Sequence, residues 1–274
     1  MRKTKISRFF DEIQVHSVLF AVVSTFILSS CSSDVQKDAA HIVYNQAKEA
    51  KENGDCYTAL RYLEDVDARF PFSAYKEQVQ LDLMYCYYRM QKQAQAEVAA
   101  ERFLKFNPRH KNVDYVLYIS GLNQSQSLHT LTESLFNVDP AEKEISVAVK
   151  AFGYFKRLVQ EHPKSEYAVD ARLRLTWLKS FMARHHLAIA QYYFEREAYV
   201  AASSRAQYIV EHYTGTEAMK KALELMYTSY GRLGEVRLQE HTAEVYKATY
   251  GRLPENLQAQ QVYSVELGSA KVAI

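Results

Sequence analysis

Glycine and proline are scarce in this chain, at 8 and 5 of 274 residues. All-β architectures need turn residues at short intervals, so the shortage disfavours them and favours helices. Cysteine is scarcer still. Cys31, Cys56 and Cys86 are too few for a disulfide scaffold. Charge of one sign is not in excess either. The chain has 34 Lys+Arg against 32 Asp+Glu, and residues 1–30 hold four and two of these, leaving the remainder formally neutral. A neutral chain has no global electrostatic reason to seek nucleic acid or an anionic membrane surface. After residue 30 no apolar run is long enough to cross a bilayer.

Signatures of catalysis are missing as well. There is no glycine-rich phosphate loop and no serine flanked by glycines in a nucleophile elbow. His185 and His186 are adjacent, so on a helix they point about 100° apart and cannot share a metal as i, i+4 ligands do. His110, His129 and His162 lack cysteine or carboxylate neighbours at ligand spacing, and read as solvated or capping side chains. Asp65 and Asp67 fall on different helix faces and make no paired-carboxylate site. No catalytic residue, metal site or cofactor is expected.

The N-terminus is informative. Arg2, Lys3, Lys5 and Arg8 precede an apolar stretch from Val18 to Leu28, which is the layout of a secretory signal. Leu28-Ser29-Ser30-Cys31 closes it and resembles the lipobox of bacterial lipoproteins; the alternative is an ordinary signal with an incidental cysteine. The resemblance implies that residues 1–30 are removed, that the Cys31 sulfur is diacylated and that the new amino group is acylated. Two or more acyl chains anchor a protein stably where one does not. Ser32 stands where aspartate would suggest retention at the inner membrane, so the periplasmic face of the outer membrane is the expected location. Residues 31–40 are expected to be a lipidated linker.

The rest reads as helices. Val79, Leu83, Tyr87 and Met90 share one face of a helix; Leu81, Tyr85 and Tyr88 share a second; Gln78, Asp82 and Arg89 form a narrow polar one. Such a helix is sandwiched between neighbours. Ala148, Ala151, Phe152, Phe155, Leu158 and Val159 form a single stripe, as in an outer helix. Helical runs end at Pro71, Pro108 and Pro163, with Thr214 and Gly251 in the equivalent place, at successive spacings of 37, 55, 51 and 37 residues. Spacings of 37 are close to the 34-residue tetratricopeptide unit. The longer ones need a polar insertion over 123–145, closing on the cap Asp139-Pro140, and one long helix from Glu166 towards Glu195. The expected fold is all-α: a tetratricopeptide-repeat solenoid of about five helix pairs, over 39–71, 77–108, 113–163, 165–214 and 216–250. Residues 251–274 carry no strong pattern and read as a mostly disordered tail. Cys56 and Cys86 read as buried free thiols, although an oxidising compartment would also permit a disulfide.

Aromatics crowd the first two repeats, among them Tyr62, Phe70, Phe72, Tyr75, Tyr85, Tyr87 and Tyr88. Most suit a core. Some suit a groove for an extended peptide, where a tyrosine ring packs while its hydroxyl bonds the peptide backbone.

A more specific likeness lies in the order of motifs. Arg69-Phe70-Pro71-Phe72-Ser73-Ala74-Tyr75, continuing from Gln78 to Tyr88, closely resembles the BamD family, tetratricopeptide lipoproteins of the β-barrel assembly (BAM) machinery in Gram-negative outer membranes. Asn107-Pro108, Asp114-Tyr115-Val116, Gly121-Leu122, Phe136-Asn137-Val138-Asp139 and Tyr192-Tyr193-Phe194-Glu195-Arg196 fit the same family in order. The resemblance implies a scaffold and substrate receptor rather than an enzyme. Repeats 3–5, residues 113–250, would join the periplasmic domain of BamA, with BamC and BamE as accessory lipoproteins. Repeats 1–2, residues 41–112, would recognise the C-terminal aromatic signal of unfolded outer-membrane β-barrels, with Phe72, Tyr75, Tyr85 and Tyr88 as groove candidates. Arg205 matches a family arginine at the BamA contact. Glu197 stands where a small glycine is usual, and Ser73-Ala74 where the family has Gly-Pro. A tetratricopeptide lipoprotein that coordinates peptidoglycan synthesis or envelope constriction is the alternative function.

Overall fold

A computed structural model describes residues 31–128, 145–252 and 257. These residues form ten α-helices and one short 3-10 turn, and no strand among them. The helices are α1 (Cys31–Glu52), α2 (Cys56–Arg69), α3 (Lys76–Arg89), α4 (Gln93–Phe106), α5 (Val113–Ser125), α6 (Ser146–Glu161), α7 (Ala168–Glu195), α8 (Tyr199–His212), α9 (Glu217–Leu233) and α10 (Val236–Tyr250), with the 3-10 turn at Gln126–Leu128. The all-α architecture of helix pairs is therefore what the structure has, including a single helix of 28 residues at α7. Residues 31–40, expected to be a lipidated linker, form the opening turns of α1, with no glycine or proline to interrupt the chain between Cys31 and Asn53. The insertion expected over 123–145 falls mostly outside the described residues, as does its Asp139-Pro140 cap. Of the tail beyond Arg252 only Leu257 is described, and it is buried.

The repeat is written in the turns. Each described inner-to-outer turn that follows α1, α3, α7 and α9 places one residue at positive φ: Gly54 at 80°, Gln91 at 56°, Glu197 at 60° and Gly234 at 74°. The next residue then donates its N–H five residues back, Asp55 to Ala50, Lys92 to Tyr87, Ala198 to Tyr193 and Glu235 to Tyr230. That is the left-handed cap that satisfies the last carbonyls of a helix. The outer-to-inner turns share a second conformation. Phe70, Asn107, His162 and Tyr213 have φ near −127°, −127°, −129° and −122°. The first three precede proline, which forbids the helical region to the residue before it. Tyr213 adopts the same geometry before Thr214, so the turn does not depend on the ring.

The chain divides into two compact units, one ending at Pro108 and one beginning at Arg109. In the first, α1 packs on α2, α2 on α3 and α3 on α4. Tyr44, Ala47, Leu60, Leu63, Val66 and Val79 lie in its core. Cys56 and Cys86 are free thiols in that core, and burial raises the pKa of Cys86. In the second unit α5 packs on α6, α6 on α7, α7 on α8 and α9, and α9 on α10. A close approach in it is at Gly121, where a Cβ would lie 2.6 Å from the Phe155 ring. Helix α6 buries Ala148, Ala151, Phe155 and Leu158 as one stripe, whereas α3 buries seven of its fourteen residues.

Candidate functional site

Cys31 is the first residue of α1. The aromatic candidates of the first unit flank α3: Phe72 and Tyr75 just precede its first residue, and Tyr85 and Tyr88 lie in its last two turns. Phe72 stands almost wholly in solvent, 93% exposed, in the turn before that helix, with the Lys76 ammonium 5.8 Å from its ring centre. Tyr75 is half-buried and turned towards α1: its hydroxyl lies 2.7 Å from His41 Nδ1 and its ring stacks on Tyr44 at 4.7 Å. Tyr85 packs against the core of the unit and carries the Arg89 guanidinium over its ring. Tyr88, also half-buried, lies on the same helix. The structure therefore does not gather the four candidates at one place: two stand at each end of α3, and the contacts of Tyr75 run to α1.

Behind this surface lies a charge that periodicity assigned to a wet face. Asp82 is buried, its side chain 6% exposed. Lys51 Nζ donates to Oδ1 at 2.6 Å and Gln78 to the same oxygen at 3.1 Å, while the Tyr44 hydroxyl donates to Oδ2 at 3.2 Å. Three donors on one carboxylate replace the water that burial removes. Burial, followed by the Asp82 charge, pushes the Tyr44 hydroxyl well above the ordinary phenol range, so it stays a donor at any physiological pH.

Arg205 has a different setting. It sits on α8, half-buried, in an open groove of about 590 Å³ lined by Tyr193 of α7 and by Ser204, Gln207, Tyr208 and Glu211 of α8. Gln207 donates to Glu211 at 2.8 Å. Among the described residues Arg205 makes no ion pair. Its hydrogen-bond partner is His186 on α7, at 3.4 Å from Nη1 to Nδ1. His186 is buried, with Tyr208 edge-on at 4.7 Å and Tyr213 at 5.5 Å. Burial, then the charges of His185, Arg205 and His212, lowers its pKa to about 4. Sequence reading placed Arg205 here by resemblance but missed His186, Tyr193 and Tyr208. The available signal was position: His186 lies between Ala183, Leu187 and Ala190, all on the buried side of α7.

The family model named YfiO, described as an outer membrane lipoprotein, matches residues 36–245. The chain belongs to this family. Its relatives include the "Outer membrane protein assembly factor BamD" of Pasteurella multocida, 37% identical over 241 residues and covering 87% of this chain and 93% of the relative. The protein of that name from Vibrio cholerae is 38% identical over 233 residues, or 84% and 97% of the two chains. That of Neisseria meningitidis serogroup A is 30% identical over 246 residues, or 86% and 92%. Among solved structures, the type IV pilus biogenesis factor PilW aligns with a TM-score of 0.36 at 13% identity, over 81% of this chain and 97% of that one. As a YfiO-family protein the chain is an outer-membrane component, and none of its described helices is long and apolar enough to cross a membrane. The family match covers both compact units, and with them both candidate surfaces.

Proposed function

We propose that the chain is a lipid-anchored assembly factor for outer-membrane β-barrel proteins, acting as scaffold and substrate receptor rather than as an enzyme. The carrying observation is the family match across both units, joined to an Arg205 guanidinium that faces a groove with no carboxylate among the described residues paired to it. In this reading Cys31 carries the acyl chains at the periplasmic face. Residues 113–250 bind the periplasmic domain of BamA through Arg205, with BamC and BamE as accessory partners. Residues 41–112 receive the unfolded barrel, with Phe72, Tyr75, Tyr85 and Tyr88 offering aromatic contacts. The solvent-facing ring of Phe72 supports this, because a large exposed apolar side chain is available to a ligand without rearrangement.

The test is association of the purified protein with the BamA periplasmic domain nearest the barrel. Arg205→Glu should weaken it by roughly 1–3 kcal/mol, the scale of losing one partly desolvated charge contact and adding repulsion. Unchanged affinity removes Arg205 from the contact; no association at high micromolar concentration sinks the scaffold reading. Cys31→Ala should release the protein from membranes in fractionation, and full retention would make the anchor redundant. Depletion separates the proposal from a role in wall synthesis, since β-barrel proteins should be lost before any wall defect.

A further inference from the structure

We infer that His186 is a positioning residue: as a neutral imidazole it accepts a hydrogen bond from Arg205 and aims the guanidinium into the groove beside Tyr193 and Tyr208. The inference rests on the reading of Arg205 as a partner contact, and adds the residue that prepares it.

The chemistry allows only one polarity for this bond. A guanidinium has donors and no acceptor, so Nδ1 must offer its lone pair and the ring proton must sit on Nε2. An imidazolium would place two donors face to face and a second positive charge 3.4 Å from the first. The fold keeps the ring neutral by burying it under Tyr208 and Tyr213, so the acceptor is present across the whole range in which proteins of the outer membrane work. Tyr208 is held in turn, stacked on His212 at 4.2 Å, while His212 Nδ1 lies 3.0 Å from the Tyr208 carbonyl oxygen.

A carboxylate in the place of His186 would also fix Arg205, and more strongly, but it would neutralise the charge. A partner's acid would then have to displace it. A neutral acceptor orients the cation and leaves its charge for the partner, which lowers the ordering cost of binding without competing for it. The contrast with Lys51 is direct, since that ammonium is already closed on Asp82.

Two substitutions separate positioning from packing. His186→Asn keeps an acceptor where Nδ1 lies but loses most of the ring, whereas His186→Phe keeps the ring and loses the acceptor. Positioning predicts that Asn binds the BamA periplasmic domain within about threefold of the parent, and that Phe binds roughly tenfold more weakly, the order of one hydrogen bond to a charged group. A purely structural His186 gives the reverse ranking, and that result overturns the inference. Thermal unfolding of both variants shows whether either has lost its fold. A second readout needs no partner: nitrogen-15 NMR of the free protein should show His186 as the Nε2–H tautomer, with an Nδ1 shift that moves on Arg205→Ala. An Nδ1–H tautomer, or a shift indifferent to Arg205→Ala, overturns the inference. If Arg205→Ala leaves binding unchanged, the contact reading falls by itself, and the tautomer still decides whether His186 holds Arg205.

Discussion

The two compact units treat a half-buried cation in opposite ways. In the first, Lys51 is closed on a buried carboxylate that also accepts hydrogen bonds from Gln78 and Tyr44, and the network ties α1 to α3. In the second, Arg205 rests on a neutral ring at the edge of a groove. A cation answered by an anion of its own chain has finished its work on folding. One answered by a neutral acceptor is oriented and still attractive to an anion from outside. The difference separates a charge neutralised within the fold from one left unneutralised, without any appeal to where a residue sits in the chain.

The sharpest way to break the comparison is at Lys51. Lys51→Met should destabilise the first unit by about 3 kcal/mol, because it strands a buried carboxylate. Adding Asp82→Leu should recover most of that loss in chemical denaturation; no recovery would mean that Lys51 matters through its packing instead. Next is Gly121→Ala, which drives a methyl group into the Phe155 ring and should cost about 2 kcal/mol. It tests whether the second unit depends on close packing where the first depends on a charge network. Arg205→Glu, by contrast, should leave the unfolding midpoint of the second unit nearly unchanged while binding falls. A large loss of stability there would make Arg205 structural and erase the distinction. The smallest effect is expected at the turns. Glu197→Gly should stabilise by about 1 kcal/mol, since glycine adopts positive φ without the steric cost that a Cβ carries. Gln91→Gly should do the same in the first unit.

Legibility in the sequence followed the range of the interactions involved. Helix α7 could be read at nearly its full length, because nothing between Glu166 and Glu195 breaks a helix. The outer-to-inner turns were marked by Pro71, Pro108 and Pro163, whose effect on the preceding residue is local. The helical state of residues 31–40 was not marked by any apolar stripe in the sequence; it follows from the lack of a glycine or proline before Asn53. The burial of Asp82 escaped for a different reason: periodicity put it on a narrow polar face, and two of the three donors that make its burial tolerable, Lys51 and Tyr44, lie 31 and 38 residues earlier. His186 escaped because its burial comes from Tyr208 on the next helix and Tyr213 in the turn that ends it, which no pattern within α7 reveals. Arg205 itself was legible through resemblance alone; its own neighbours in sequence describe an ordinary half-exposed arginine.

The positive-φ residue before α8 also acts as an index. Helix α8 begins at Tyr199, two residues after Glu197, and Arg205 lies on its second turn. Inserting or deleting one residue between Glu197 and Arg205 would rotate that side chain by about 100° around the helix axis. Gln207, Tyr208 and Glu211 would turn with it, so the α8 wall of the groove would be lost together with its charge, with no contact of Arg205 having been mutated. In this family of turns, the phase of a helix is set at its first residues and read out several residues later, so the conformation at Glu197 fixes which way the Arg205 guanidinium faces.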